Sequence, residues 1–305
     1  MMEEPDDLEQ PEDPLLKEFC RHVVGLCCLD AKCDPEANGD SIAEFDPKAF
    51  AISTFVLSVR GMWFLITAGH VFHELDTRLA AGRRIVRSQL VDGFGSKKQL
   101  PSIPFTLSET PWSYIYHDGL DYGVIPLRQG FVSLLRAGGV RALGENAWRD
   151  IPDSADAYFL LGFPRDAREI SVTFDGDVGN VNVALGTPLL PLRAIDDPPT
   201  VLKSTAKRFY AKVPITTGNV GGREITLHDI GGMSGGPVFA VKRTGDSKDP
   251  YWVIAVQSGW SRKDRVLAAC PIQPLAEAIT TGMDAQEANA QNRDPGVDQS
   301  ERDGS

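Results

Sequence analysis

The segment 228–239 reads HDIGGMSGGPVF and surrounds one serine, Ser234, with four glycines. Glycine within a regular element costs roughly 0.5–1 kcal/mol relative to alanine, because glycine loses more conformational freedom on folding. Four glycines around one hydroxyl therefore indicate that the backbone adopts conformations that other residues adopt only at a cost. Three interpretations are open: a glycine-rich turn with an incidental serine, the nucleophile turn of an α/β-hydrolase, or a serine nucleophile whose histidine and aspartate come earlier in the chain.

The order of the histidines along the chain separates these interpretations. All five histidines precede Ser234. An α/β-hydrolase needs its histidine after the serine, so this chain lacks the base for that arrangement. The order aspartate, histidine, serine of subtilisin is available, but the strand-rich sequence argues against its α/β fold. The order histidine, aspartate, serine remains.

His70 is the candidate histidine. It lies in the segment WFLITAGHVF (63–72), where the apolar run Trp63–Thr67 predicts a buried strand that ends just before the histidine. A histidine at the end of a buried strand is held rigidly, as a general base must be. His73 follows one helical turn later, and this His-x-x-His pair would need a third ligand to bind a metal.

Asp121 is the candidate acid. It lies in the segment DGLDYGVIPL (118–127) and directly precedes the apolar strand 122–127. An aspartate at the head of a buried strand can reach an imidazole, fix its tautomer and stabilise its charged form. Asp118 is the alternative acid. Asp121 can also be interpreted as a solvated aspartate in a turn without a catalytic role.

Three segments together resemble the trypsin/chymotrypsin-like serine proteases: LITAGH (65–70), DYGVIPL (121–127) and GGMSGGPVF (231–239). The resemblance covers roughly residues 20–282. It implies an all-β fold of two consecutive six-stranded antiparallel β-barrels, followed by a short C-terminal helix. The many short β-rich runs with glycine, proline and aspartate between them agree with this expectation.

The resemblance implies peptide-bond hydrolysis through an acyl-enzyme formed on Ser234. His70 would act as general base and acid, and Asp121 would orient it. The backbone N–H groups of Gly232 and Ser234 would form the oxyanion hole. No metal or organic cofactor is implied, and the expected partner is a protein or peptide substrate. A catalytically silent binding module with the same fold, and an esterase, stay open as alternatives.

The resemblance also implies a specificity pocket, whose expected residues are His228, Asp229, Ser258 and Gly259. His228 stands six residues before Ser234, at the position that forms the base of this pocket in the family. A histidine there would favour an acidic or polar substrate side chain. The order Ser258-Gly259-Trp260 differs from the usual Ser-Trp-Gly of the family, which changes the expected pocket wall.

Met233 stands where secreted digestive members of the family carry an aspartate. That aspartate pairs with a newly cut N-terminus during activation, and methionine cannot form this ion pair. Activation by N-terminal trimming is therefore not expected. The sequence resembles more closely the HtrA-type branch and its bacterial intracellular relatives, although no PDZ domain is recognisable.

The expected organisation has four parts. Residues 1–14 form a disordered acidic tail, 15–150 a barrel with His70 and Asp121, 151–283 a barrel with Ser234, and 284–305 a second disordered tail. The sequence predicts three helices, at 71–81, near 132–137 and at 272–280.

Composition limits the environment and partners of the protein. The 305 residues carry a net charge of −11, which argues against nucleic acid or an anionic membrane as partner. The acidic N-terminal segment does not resemble a signal peptide, and no apolar run is long enough for a transmembrane helix. The clustered Cys20, Cys27, Cys28 and Cys33 are interpreted as buried thiols in a reducing compartment, which favours the cytoplasm. The oligomeric state stays open.

Overall fold

The structure, a computed structural model, describes residues 14–32, 48–91, 102–117, 119–175, 178–214, 216–220, 223–243 and 250–292. Its helices are α1 (Pro14–Cys20), α2 (Gly69–Ala80), α3 (Gln129–Ala137) and α4 (Ile272–Asn292). Its strands in the first half are β1 (Val23–Lys32), β2 (Lys48–Val59), β3 (Met62–Thr67), β4 (Arg83–Val91), β5 (Ile103–Pro104), β6 (Ser113–His117) and β7 (Leu120–Pro126). Its strands in the second half are β8 (Ala157–Leu160), β9 (Arg168–Asp175), β10 (Val178–Leu185), β11 (Leu190–Ala194), β12 (Phe209–Lys212), β13 (Thr216–Val220), β14 (Arg223–Leu227), β15 (Pro237–Val241), β16 (Tyr251–Ser261) and β17 (Val266–Pro271).

The predicted all-β fold class is confirmed. Within the described residues, the second half contains a closed six-stranded antiparallel barrel in the order β11-β12-β17-β16-β15-β8. The first half is a seven-stranded antiparallel sheet in the order β5-β4-β1-β2-β3-β7-β6. It has one strand more than expected, because the two-residue strand β5 pairs with the edge of β4.

The predicted strands match the structure because their continuous apolar runs are buried along nearly their whole length. Strand β3, in the run MWFLIT, is buried at every residue except the first. Strand β15, which follows the glycine-rich segment, is buried along its whole length. Because both faces of such strands contact apolar neighbours, continuous apolar runs replace the alternating pattern of a half-exposed strand.

The three predicted helices correspond to α2, α3 and α4, but α4 is longer than expected. It runs to Asn292, whereas a disordered tail was predicted from 284. The apolar side chains of Leu275, Ile279 and Met283 pack on the core, and a helix anchored in this way can extend through helix-forming residues that have no core contacts. The other tail prediction, residues 1–14, falls outside the described residues except for Pro14, which starts α1.

The two halves share one apolar cluster. Phe19 of α1 stacks on Phe239 of β15, with ring centroids 4.4 Å apart. Leu275 of α4 belongs to the same cluster as Phe55 and Leu57 of β2. The first described helix therefore packs on the barrel of the second half, and the last one packs back on the sheet of the first half.

The described cysteines agree with the predicted buried thiols. Cys20, Cys27, Cys28 and Cys270 are all buried. Burial raises the pKa of the Cys27 thiol to about 12 and raises that of Cys28 further, so these groups stay protonated and unreactive near neutral pH. Cys33 lies outside the described residues. None of the helices in the described ranges has the length and apolar character needed to cross a membrane.

Candidate active site

The start of α2 places His70. Gly69, the first residue of the helix, packs against the backbone of the neighbouring strands. A Cβ atom at this position would overlap the carbonyl oxygen of Ile115 and would lie 2.9 Å from that of Tyr122. Only glycine allows this close approach. The helix therefore begins directly beside Asp121, the residue before Tyr122 in β7.

Two hydrogen bonds join His70 to Asp121. The backbone N–H of His70 donates to Oδ1 at 2.7 Å, and Nδ1 lies 2.8 Å from Oδ2. The carboxylate can only accept, so the ring proton sits on Nδ1 and leaves the lone pair on Nε2. Asp121 is 2% exposed, so its carboxylate is shielded from water, whereas His70 stays partly accessible from the pocket. The alternative acid, Asp118, lies outside the described residues.

The loop around Ser234 packs on the sheet of the first half. Gly235 has a φ of +91°, and a Cβ atom there would overlap both Oγ1 of Thr67 and the carbonyl oxygen of Ser53. This contact holds the loop against the end of β3, close to where α2 begins. Ser234 and His70 consequently line one pocket, with a volume of about 320 Å³.

Two backbone N–H groups of this loop are left without an acceptor. Within the described part of the chain, the amides of Gly232 and Ser234 donate no hydrogen bond, and Gly232 has a φ of +97°. The neighbouring amides of Gly231, Met233, Gly235 and Gly236 all donate one, to Asp229, Ile230, Gln257 and Met233 respectively. A pair of free N–H groups beside a serine hydroxyl can bind a negatively charged oxygen.

Contacts on both sides of Gly232 fix the peptide planes of the loop. The hydroxyl of Ser53 donates to the carbonyl oxygen of Gly232 at 2.9 Å and accepts from the backbone N–H of Phe163 at 2.9 Å. The carbonyl oxygen of Gly231 accepts from the backbone N–H of Arg165 at 2.8 Å. The N–H and C=O of a trans peptide point in opposite directions, so this second bond sets the direction of the Gly232 N–H.

Ser53 is not among the site residues that the sequence predicts. Its side chain is fully buried in β2 and lies far from the site in sequence. One signal was available: Ser53 and Thr54 interrupt the apolar run FAISTFVLSV with hydroxyls, and a buried hydroxyl needs a hydrogen-bond partner.

The four residues expected to form a specificity pocket do not line the pocket of His70 and Ser234. His228 is exposed, and its carbonyl oxygen accepts from Nη1 of Arg265 at 2.7 Å. Asp229 is half-buried and accepts from the Gly231 N–H at 2.9 Å. Its Oδ2 lies 3.6 Å from Nε of Arg262. The contacts of Asp229 are thus those of a residue that shapes the glycine loop.

Ser258 and Gly259 lie in β16, on the barrel wall. The Ser258 hydroxyl is 3.3 Å from the carbonyl oxygen of Ala268 and 3.5 Å from Sγ of Cys270. A Cβ atom at Gly259 would lie 3.3 Å from the side chains of both Ala268 and Leu202, which leaves little room beside it. The assignment of these residues to a specificity pocket stays a prediction.

No protein-family model matches the sequence, and a search of curated proteins finds no match. A search of solved structures finds proteases. A thermostable serine protease, AL20, from an extremophilic microorganism is 14% identical, with 84% of this chain and 92% of that chain covered and a TM-score of 0.42. The Rv3671c protease of M. tuberculosis in its active form is 14% identical, with 85% and 79% covered and a TM-score of 0.39. The tobacco etch virus protease complexed with product is 11% identical, with 91% and 83% covered and a TM-score of 0.41.

Proposed function

We propose that this protein is a serine endopeptidase with Ser234 as nucleophile, His70 as general base and Asp121 as the residue that orients the histidine. One observation carries the proposal. A histidine whose Nδ1 is bonded to a buried carboxylate lines the same pocket as a serine, and the backbone N–H groups of that serine and of Gly232 donate no hydrogen bond within the described residues. These are the parts that acyl transfer requires.

In the proposed reaction, Nε2 of His70 takes the proton of Ser234 as Oγ attacks the scissile carbonyl carbon. The carbonyl oxygen becomes negatively charged and accepts from the N–H groups of Gly232 and Ser234. One such donor is worth about 2.7–4 kcal/mol of barrier in known cases. His70 then gives its proton to the leaving amine, and a water molecule activated by His70 hydrolyses the acyl-enzyme.

The surroundings of Met233 support the expectation that no new N-terminus is needed for activation. Its side chain is fully buried in the apolar core of the barrel, where a charged ion pair would be costly. This agrees with the resemblance to the HtrA-type branch, which we keep as a proposal, as we do the cytoplasmic location. Cell fractionation tests the location.

The test uses a fluorophosphonate probe and a mixture of peptides with the full-length protein, beside Ser234→Ala and His70→Ala. The matched control is His73→Ala, because this exposed histidine lies one turn further along the same helix. We expect the wild type and His73→Ala to be labelled and to cleave peptides, and the other two variants to do neither.

The other outcomes separate the alternatives. Labelling of Ser234 with hydrolysis of simple esters but not of peptides would indicate an esterase. Absence of labelling in the wild type, with a folded protein, would contradict the proposal and favour a catalytically silent binding module.

A further inference from the structure

The pocket beside His70 and Ser234 has walls from both halves of the molecule. The first half contributes the start of β2 and the exposed side of α2, including Glu74 and Arg78. The second half contributes Arg165, Arg168 and the backbone of Gly232. Three arginines and one glutamate thus surround this space in a chain whose overall charge is −11.

Arg78 is neutralised by its neighbours. Its Nη2 lies 2.6 Å from Oε1 of Glu74, and its Nη1 lies 3.3 Å from Oδ2 of the buried Asp30. The single glutamate of the pocket is therefore already committed to Arg78, so the balance of charge in the pocket depends on the other two arginines.

Arg165 and Arg168 have no carboxylate partner among the described residues. Arg168 donates only to carbonyl oxygens: Nη2 and Nε to that of Phe163 at 2.7 and 3.2 Å, and Nη1 to that of Ala51 at 2.8 Å. Burial, and then the charge of Arg165, lowers the pKa of Arg168, although guanidinium remains charged at any physiological pH. Arg165 is exposed, and its side chain makes no hydrogen bond within the described ranges. The pocket thus holds two positive charges that no carboxylate of the described residues balances.

The Arg168 guanidinium lies directly against the loop of the candidate oxyanion hole. A Cβ atom on Gly232 would overlap Nη2 of Arg168, so glycine is needed there to make room for the guanidinium. The three bonds to carbonyl oxygens hold Arg168 in one position. A cation fixed in advance in this way loses little entropy when an anion binds.

The position of His70 indicates which part of a substrate enters this pocket. In acyl transfer by this constellation, the histidine delivers its proton to the leaving amine, so the leaving segment passes the imidazole. The pocket extends from His70 along α2 through Val71 and Glu74 to Arg78. It therefore lies on the path of the leaving segment.

We propose that Arg165 and Arg168 form a subsite for the carboxylate side chain of an aspartate or glutamate in the first two residues of the leaving segment. This proposal rests on the proposed function for its substrate, but carboxylate binding itself does not need turnover. It differs from the sequence prediction for His228, which concerns a substrate side chain on the other side of the scissile bond.

Binding is measured first, with full-length Ser234→Ala protein, so that the result does not depend on catalysis. The probes are the amidated peptides Asp-Ala-Ala and Ala-Asp-Ala and their asparagine counterparts, which keep a terminal carboxylate out of the comparison. A carboxylate bonded by arginine contributes about 1.5–3 kcal/mol, which corresponds to at least tenfold in Kd. We expect one of the aspartate peptides to bind at least tenfold more tightly than its counterpart.

Three substitutions at Arg165 and Arg168, and one control substitution, test the residues in this background. Arg165→Gln should remove most of the preference, and Arg165→Glu should abolish it. The exposed Arg193 lies in β11 outside the pocket lining, so Arg193→Gln is the matched control and should keep the preference. Arg168→Gln is included with its melting temperature, because this side chain also holds two backbone carbonyls. Arg165, whose side chain makes no hydrogen bond within the described ranges, carries the test if Arg168→Gln does not fold.

Cleavage of a peptide library by the wild type completes the test, with rates normalised to the fraction of protein that the fluorophosphonate probe titrates. Acidic residues should be enriched in the first two positions after the cut, and less so with Arg165→Gln. Equal binding of aspartate and asparagine peptides, or equal preference in Arg165→Gln, would overturn the subsite. A wild type that binds aspartate peptides through Arg165 but cleaves nothing would overturn the proposed function and leave the subsite standing.

Discussion

The two halves of the molecule supply their candidate catalytic groups in different ways. His70 and Asp121 both belong to the first half, and the hydrogen bonds between them need only α2 and β7. Ser234 belongs to the second half, but its loop takes its shape from the first: Ser53 bonds the carbonyl oxygen of Gly232, and Thr67 and Ser53 contact Gly235. The histidine–aspartate pair is thus a local structure, whereas the serine loop depends on the contact between the halves.

This difference predicts which mutations should affect only the chemistry and which should also affect stability. A change in the pair should affect chemistry and leave the fold intact, because few other contacts depend on it. A change in the contact between the halves should alter stability and chemistry together, because the same atoms pack the halves and hold the loop.

The largest expected effect is on chemistry alone. Asp121→Asn keeps the shape of the side chain but favours the wrong tautomer of His70, which in a triad costs about 10⁴-fold in rate. The rate of fluorophosphonate labelling should fall by a factor of that order, while the melting temperature changes little. Asp150→Asn, an exposed position elsewhere, is the control and should label like the wild type. A loss of less than tenfold would mean that Asp121 does not orient the histidine.

Gly235→Ala should break the contact between the halves. Gly235 has a left-handed φ, and a methyl group there would overlap the side chain of Thr67 and the backbone of Ser53. We therefore expect a loss of at least about 3 kcal/mol in the free energy of unfolding. Urea denaturation measures this loss, and the remaining folded protein should label slowly.

Gly282→Ala is the matched control for that change. Gly282 lies in α4, and a Cβ atom added there would meet nothing within 4 Å, so alanine should stabilise the protein by up to about 1 kcal/mol. If Gly235→Ala is as stable as the wild type, the serine loop does not depend on the first half as described.

His22 tests the other end of the same contact. Its Nδ1 lies 2.7 Å from the carbonyl oxygen of Arg141, and its Nε2 lies 2.7 Å from the hydroxyl of Tyr251 in the barrel. Burial lowers its pKa to about 4, although the Arg141 carbonyl and Glu18 favour the charged form, and Arg141 and Arg21 oppose it. In the unfolded chain the His22 imidazole has an ordinary pKa near 6.5. It therefore binds a proton at pH values at which the folded protein keeps it neutral.

Stability should therefore fall as pH drops from 6.5 towards 4. This one group should remove about 2 kcal/mol between pH 7 and pH 5. Urea unfolding at both values measures the change, and His22→Gln should reduce it by that amount. An identical pH dependence in the wild type and the variant would show that His22 does not link the halves as a neutral base.

Among the changes expected to slow labelling, Ser53→Ala should have the smallest effect on the rate. It removes the hydroxyl that bonds the Gly232 carbonyl and leaves the Phe163 N–H without its acceptor, at a cost of about 1–3 kcal/mol in stability. The Gly232 peptide then has one anchor fewer, so the labelling rate should fall about tenfold. Ser53→Thr, which restores the hydroxyl, should recover part of the rate. A stability loss without any loss of rate would restrict Ser53 to packing.

The sequence predicted those parts of the fold and the site that short segments determine. The buried strand before His70 and the one after Asp121 are continuous apolar runs, and the glycines around Ser234 mark their own backbone requirement. The helix α1 was not predicted, because seven residues beside an acidic segment carry no periodic pattern. Strand β4 was not predicted either, because its sequence RRIVRSQLV contains three arginines and no regular alternation of apolar and polar residues.

The parts that were not predicted are contacts between distant segments. Ser53 and Gly232 are 179 residues apart, and Arg168 and Ala51 are 117 apart. Their proximity follows from how the two halves pack, which no local pattern encodes. The same holds for the charge of the pocket: Arg78 and Arg168 are both ordinary surface residues in the sequence, and only the structure distinguishes the neutralised one from the other.

Helix α1 packs on the second half and helix α4 packs on the first half. This arrangement determines when, during synthesis, the site can form. On a translating ribosome the first half emerges first, but Phe55 and Leu57 of β2 share their apolar cluster with α4, the last described element. Contacts this far apart along the chain form late. We therefore expect the pocket of His70 and Ser234 to form only after α4 has left the exit tunnel, so a nascent chain that has not reached this point carries no assembled site.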